Sequence, residues 1–120
     1  MHELSIAVSL VEAACEKIEE LGAVKVDALH LRLGPLSGVV KEALLFSFDL
    51  AAEGTAVEGA RLEIEDVPLT VRCPRCGKER ELPSPQRLRC PDCDVPTPEV
   101  VRGRELELVA LEVTESAPHR

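Results

Sequence analysis

Two Cys-x-x-Cys pairs, Cys73/Cys76 and Cys90/Cys93, carry the residue types and spacing most able to do chemistry in this chain. Four thiolates complete the tetrahedron zinc prefers and leave no open position for water, so the expected role is structural rather than catalytic. The pairs read Cys73-Pro74-Arg75-Cys76-Gly77 and Cys90-Pro91-Asp92-Cys93-Asp94. In such a knuckle, backbone N–H groups point at the sulfurs and the residue after the second cysteine takes positive φ, freely for Gly77 and less readily for Asp94. Thirteen residues separate Cys76 from Cys90, room for two short strands and a turn. Iron in a rubredoxin-like site and dithiol redox chemistry use similar residues. The charged neighbours Arg75, Lys78, Asp92 and Asp94 replace the apolar shield usual for iron, and a redox pair belongs at a helix start rather than in a turn. Zinc is the favoured reading of the three.

A second locus is Met1-His2-Glu3. A bulky second residue disfavours removal of the initiator Met, so the expected donors are the Met1 amine, the deprotonated amide of His2 and its imidazole. The Glu3 amide or carboxylate completes the set. Such nitrogen-rich, near-planar sets suit Ni(II) or Cu(II) more than zinc. Because an amide must lose its proton, binding there is strongly pH dependent. On these residues alone, an exposed His at a chain end is the simpler reading.

The 120 residues suffice for one domain, or for one domain carrying a small metal-stapled module. Phe46 and Phe48 are the only aromatics, which makes stacking on nucleic-acid bases hard to build. A formal charge of -8 argues against nucleic acid or an anionic membrane as the main partner. A basic cluster, Arg72, Arg75, Lys78, Arg80, Arg87 and Arg89, surrounds the cysteines and reads as a solvated or protein-binding face. No apolar run approaches the roughly 20 residues that span a bilayer, and no leader pattern opens the chain. Paired cysteines kept as thiolates fit the cytoplasm.

From Glu3 to Leu21, Leu4, Ala7, Val8, Val11, Cys15, Ile18 and Leu21 recur at steps of three and four, predicting an amphipathic helix with Gly22 past its end. Cys15 on that stripe reads as a small buried hydrophobe. Val24 to Leu33 reads as a strand, with Leu29, Leu31 and Leu33 inward and His30 and Arg32 outward. Gly34-Pro35 ends it. Val40, Leu44, Phe48 and Ala51 predict a second helix closing at Gly54. Strands follow around Leu62–Ile64 and over Glu105–Val113. The proline-rich cysteine stretch has too little apolar material for a core of its own, so a metal must hold it.

The expected fold is α+β: two helices packed on a roughly three-stranded sheet, with an inserted zinc-ribbon-like module. Residues 1–67 plus 102–115 form the helical domain, 68–101 the cysteine module and 116–120 a flexible tail. His30 and His119 are read as non-ligands. No Ser/His/Asp set, phosphate-cradling glycine loop or open metal site suggests an enzyme. A zinc-ribbon nucleic-acid-binding or transcription adaptor is the alternative that the cysteines and arginines leave open.

Met1-His2-Glu3-Leu4-Ser5 opening a helix, Gly34-x-Leu36-Ser37-Gly38-Val39 before a second helix bearing Glu42 and Phe46-x-Phe48, and two late Cys-x-x-Cys pairs together resemble the HypA/HybF family of hydrogenase maturation proteins. The resemblance runs from residue 1 to about residue 113. It implies a nickel metallochaperone that binds Ni(II) transiently through His2, with Glu3 adjacent and the Met1 amine available, and holds structural Zn(II) at Cys73, Cys76, Cys90 and Cys93. It also implies partners: a nickel-handling GTPase, the [NiFe]-hydrogenase large-subunit precursor and urease maturation factors. Some members place an acidic residue before the second helix as a further nickel donor. Here Val40 stands at that position and Glu42 is the nearest carboxylate.

Overall fold

A computed structural model describes residues 3–115. Its elements run α1 (Glu3–Leu21), β1 (Ala23–Leu33), α2 (Lys41–Ala52), β2 (Arg61–Asp66), β3 (Leu69–Arg72), β4 (Glu79–Leu82), β5 (Glu99–Arg102) and β6 (Leu106–Glu115). The strands form two three-stranded sheets, ordered β2-β1-β6 and β4-β3-β5. This is the expected α+β architecture. The chain divides into two compact units, one holding both helices with Val39–Ile64 and the end of β6, the other Arg32–Gly38 and Glu65–Glu107. The tail 116–120 lies outside the described residues.

In the helical unit, α1 and α2 pack on each other and close one apolar cluster with the sheet. Phe48, Leu44, Val26, Leu29 and Leu31 are almost fully buried there. Burying each such side chain stabilises the fold by about 1.5–3 kcal/mol. The face of α1 differs from the expected one. Ile6, Leu10 and Ala14 join Ala7, Val11 and Ile18 in the core, whereas Leu4, Val8 and Leu21 stay 49%, 41% and 56% exposed. The helix is apolar around a wide arc, so the 3.6-residue period alone does not choose between overlapping stripes; packing against α2 and the sheet does.

On β1, Leu29, Leu31 and Leu33 are buried, and the residues between them face outward as expected. His30 Nε2 meets Glu112 Oε2 at 2.6 Å. Arg61 on β2 reaches the same Glu112 as well as Glu63, and Thr114 Oγ1 donates to Asp27 at 2.6 Å. Exposed pairs of this kind contribute at most about 1 kcal/mol each. They mark the wet face of the sheet.

The cysteine-bearing unit is built differently. β3 is the central strand, antiparallel to both β4 and β5. Leu69, Val71 and Leu82 form a buried apolar cluster, with Leu36, Leu88 and Val100 packed around them, and Leu33 and Val67 are buried as well. Between Cys76 and Cys90 there is one strand, β4, rather than the two expected. Beyond Leu82 the run Pro83-Ser84-Pro85 removes two ladder donors, and the chain next pairs only as an isolated bridge between Arg89 and Pro96. Gly34 has a steric reason for its identity: the Gly34 N–H donates to Glu105 O at 2.8 Å and the Leu36 N–H to Gly103 O at 2.7 Å. That pairing runs so close that a Cβ on Gly34 would collide with the backbone of Gly103 and Arg104.

Candidate metal centre

The two cysteine turns repeat one geometry. The Cys73 N–H donates to Lys78 O at 3.0 Å and the Gly77 N–H to Cys73 O at 2.9 Å; in the second turn, Cys90 pairs with Val95 O at 3.0 Å and Asp94 with Cys90 O at 2.8 Å. Gly77 sits at φ 73, and Asp94 at φ 54 is the one described non-glycine residue with positive φ. That conformation costs an L-residue roughly 1–2 kcal/mol. Arginines hold Asp94 in place: Arg89 Nε meets its carboxylate at 3.0 Å and Arg87 reaches it at 3.4 Å, while a second Arg89 nitrogen donates to Asp94 O at 2.6 Å. The hydrogen bond and charge of Arg89 keep the Asp94 carboxyl below its ordinary pKa.

Each turn also aims N–H groups at sulfur. Arg75 and Cys76 both donate to Cys73 Sγ at 3.3 Å, and Cys93 donates to Cys90 Sγ at 3.4 Å. The four Sγ atoms lie within 4.8 Å of one another. A tetrahedron with bonds of about 2.3 Å has sulfur–sulfur edges of about 3.8 Å, so the cluster suits a single tetrahedral ion. Cys73 and Cys90 are buried, Cys93 half-buried and Cys76 exposed. The N–H bond from Cys76, followed by that from Arg75, lowers the Cys73 thiol to about 6. Burial, then hydrogen bonding with the thiols of Cys73, Cys90 and Cys76, raises Cys93 to about 12. One sulfur ionises readily while another resists, as expected where negative charges crowd; a divalent cation relieves that crowding.

The basic cluster read from the sequence is largely neutralised inside its own unit. Arg72 pairs with Glu79 and Glu99, Arg102 with Glu79, and Arg80 with Asp92 at 2.7 Å. Cys15 packs against the main core, partly buried.

Of the expected nickel donors, Met1 and His2 lie outside the described residues, as does His119, while Glu3 and Glu42 lie within them. Glu3 is the first residue of α1, and its Oε2 accepts the Val40 N–H at 3.0 Å. Glu42 is exposed in the first turn of α2. The contact between Glu3 and Val40, 37 residues apart, was not foreseen from the sequence. Its one available signal was a valine at a helix start, where Ser, Thr, Asp or Asn is the usual cap.

The family model for hydrogenase/urease nickel incorporation, metallochaperone, HypA, matches residues 1–113. The chain belongs to the HypA family. The hydrogenase maturation factor HypA of Roseiflexus sp. strain RS-1 is 53% identical, the match covering 98% of this chain and 96% of that protein. The protein of the same name from Chloroflexus aurantiacus is 54% identical over 93% of this chain and 98% of its own length. The solution structure of the nickel metallochaperone HypA from Helicobacter pylori matches with a TM-score of 0.66, covering 97% of this chain and all of that one. At 23% identity that likeness establishes the fold. Membership in the HypA family places the chain among nickel metallochaperones of hydrogenase maturation, with a four-cysteine metal-binding cluster of its own.

Proposed function

We propose that this protein carries Ni(II) on its amino-terminal segment and helps insert it into the [NiFe]-hydrogenase large subunit, while Zn(II) at Cys73, Cys76, Cys90 and Cys93 serves only to hold structure. The observation that carries this reading is the family match starting at residue 1 and running through both cysteine pairs. His2 supplies the imidazole and the first amide, and the Met1 amine and the Glu3 amide complete a nitrogen-rich set suited to nickel.

Two metals with different fates need two kinds of site. Four thiolates around zinc close the coordination shell, and the N–H groups of Arg75, Cys76 and Cys93 are placed to stabilise the negative sulfurs. A site on a chain end gives up its ion by stepwise ligand exchange with a partner. Residues 1–67 plus 102–115 are assigned to nickel handling and 68–101 to zinc. The expected partners are a nickel-handling GTPase, the hydrogenase large-subunit precursor and urease maturation factors, all met in the cytoplasm. The protein is not assigned a reaction of its own.

The adaptor alternative loses support from the ion pairs. A phosphate-binding face needs available cations, and Arg72, Arg80, Arg87 and Arg89 already face carboxylates. No described helix is long and apolar enough to cross a membrane. The test is nickel titration of zinc-loaded protein with an untagged terminus, wild type against His2→Ala. The variant should lose nickel and keep zinc and helicity. Equal nickel affinity in the two proteins would rule out His2 as an essential ligand.

A further inference from the structure

We infer that Glu3 is a positioning residue, which ties the nickel-carrying segment to the start of α2 by capping that helix from outside, and that its carboxylate is not a nickel donor. The inference rests on the nickel reading above for its functional half and on geometry alone for its structural half.

The start of α2 lacks the chemistry helices normally use. Its N-cap residue is Val40, with extended backbone at φ -88 and ψ 118 and no side-chain cap hydrogen bond. In a capping box, a Glu or Gln at the third helical position reaches back to the N-cap N–H. Here the third helical position is Ala43, which has no acceptor to offer. Glu3, the first residue of the other helix, makes that bond instead: its Oε2 accepts the Val40 N–H at 3.0 Å. A carboxylate at that place also complements the positive end of the α2 dipole.

Two consequences follow for the cargo. Glu3 directly follows Met1-His2 in the chain, so on the nickel reading the residue that carries the donors is joined by one peptide bond to the residue held against Val40. The same carboxylate oxygen cannot cap Val40 and ligate nickel at full strength in both roles. A cargo ion that recruited it would uncap α2, which makes the Val40 amide a reporter of which role Glu3 plays.

The experiment compares wild type, Glu3→Gln and Glu3→Ala by amide hydrogen exchange at Val40, without and with nickel, and by nickel affinity. Gln keeps an acceptor of the same reach, whereas Ala keeps none. The expected result without metal is about tenfold faster exchange at Val40 in Glu3→Ala and a change of only a few-fold in Glu3→Gln. With nickel, the wild type should keep its Val40 protection. Nickel affinity should fall about tenfold in Glu3→Ala and stay within about threefold of wild type in Glu3→Gln. Unchanged Val40 exchange in Glu3→Ala would overturn the capping role. Loss of nickel to the same degree in both variants, or loss of Val40 protection when wild type takes up nickel, would overturn the positioning role and make the carboxylate a donor. Should wild type itself bind no nickel, the nickel reading and the cargo half of this inference fall together, while metal-free exchange decides the cap alone.

Discussion

The helical unit and the cysteine-bearing unit reach order by different physical routes. In the first, two helices and a sheet gather a single large apolar cluster around Phe48, Leu44 and Leu29. In the second, a much smaller apolar cluster around Leu69, Val71 and Leu82 supports the sheet, and two knuckles converge four sulfurs instead. What one unit achieves by excluding water, the other is proposed to achieve by chelation, because so small an apolar cluster does little to offset the entropy of ordering its loops. On the proposed function the same contrast would separate the metals, since an ion that contributes folding energy cannot also be surrendered as cargo.

The contrast breaks most sharply under metal removal. Stripping the ion with a strong chelator, or replacing Cys90 by Ser, should abolish the β4-β3-β5 sheet and leave α1 and α2 helical, since a structural zinc contributes on the order of 10 kcal/mol of apparent binding energy. Circular dichroism with residue-resolved hydrogen exchange checks this, and simultaneous loss of the helices would show that the two units fold as one. The converse substitution, Phe48→Ala, empties a nearly fully buried site in the helical unit and should cost about 4 kcal/mol in a denaturant titration. The metal content of the variant should stay at wild-type level under native conditions.

Acid sharpens the comparison further. In the metal-free cluster Cys93, raised to about 12, still holds its proton at neutral pH, while Cys73, lowered to about 6, has already lost its own. Metal must therefore displace the Cys93 proton at pH 7, and the Cys73 proton as well below about pH 6. Affinity should fall at least tenfold per pH unit near neutrality and more steeply below pH 6, always in the direction of weaker binding as pH drops. Competition with a chromophoric chelator across pH 5–8 measures the slope; a flat profile would contradict a thiolate site. The smallest effect lies at Thr97, whose buried hydroxyl has no hydrogen-bond partner among the described residues. Thr97→Val should stabilise the cysteine-bearing unit by about 1 kcal/mol, read as a higher denaturant midpoint for the loss of its sheet.

Much of the candidate centre was legible in the spacing of its residues. A Cys-x-x-Cys-Gly turn is local, so its hydrogen bonds and positive φ are set within six residues, and the same logic identified Asp94 as the strained counterpart of Gly77. The alternation along β1 was legible for a like reason, since a period of two survives whatever the strand pairs with. The breaks after Leu82 were present in Pro83 and Pro85, though the length of the interval suggested a second strand. The arginines around the cysteines were read as a solvated or protein-binding face, but the carboxylates that Arg72, Arg80 and Arg89 meet could not be assigned from a count of cations.

By itself, then, the sequence determined which residues could form knuckles, helices and strands, because those depend on backbone preferences and side-chain spacing over a few neighbours. The buried face of α1, the pairing of Gly34 with the Gly103–Glu105 segment, the internal neutralisation of the arginines and the capping of Val40 by Glu3 were decided only in three dimensions. The Gly34 pairing and the Glu3 cap join residues far apart along the chain, and Arg72 reaches Glu99 as well as the nearer Glu79. Such contacts arise from packing and from the demand that buried or terminal polar groups find partners, and neither is written in the order of adjacent residues.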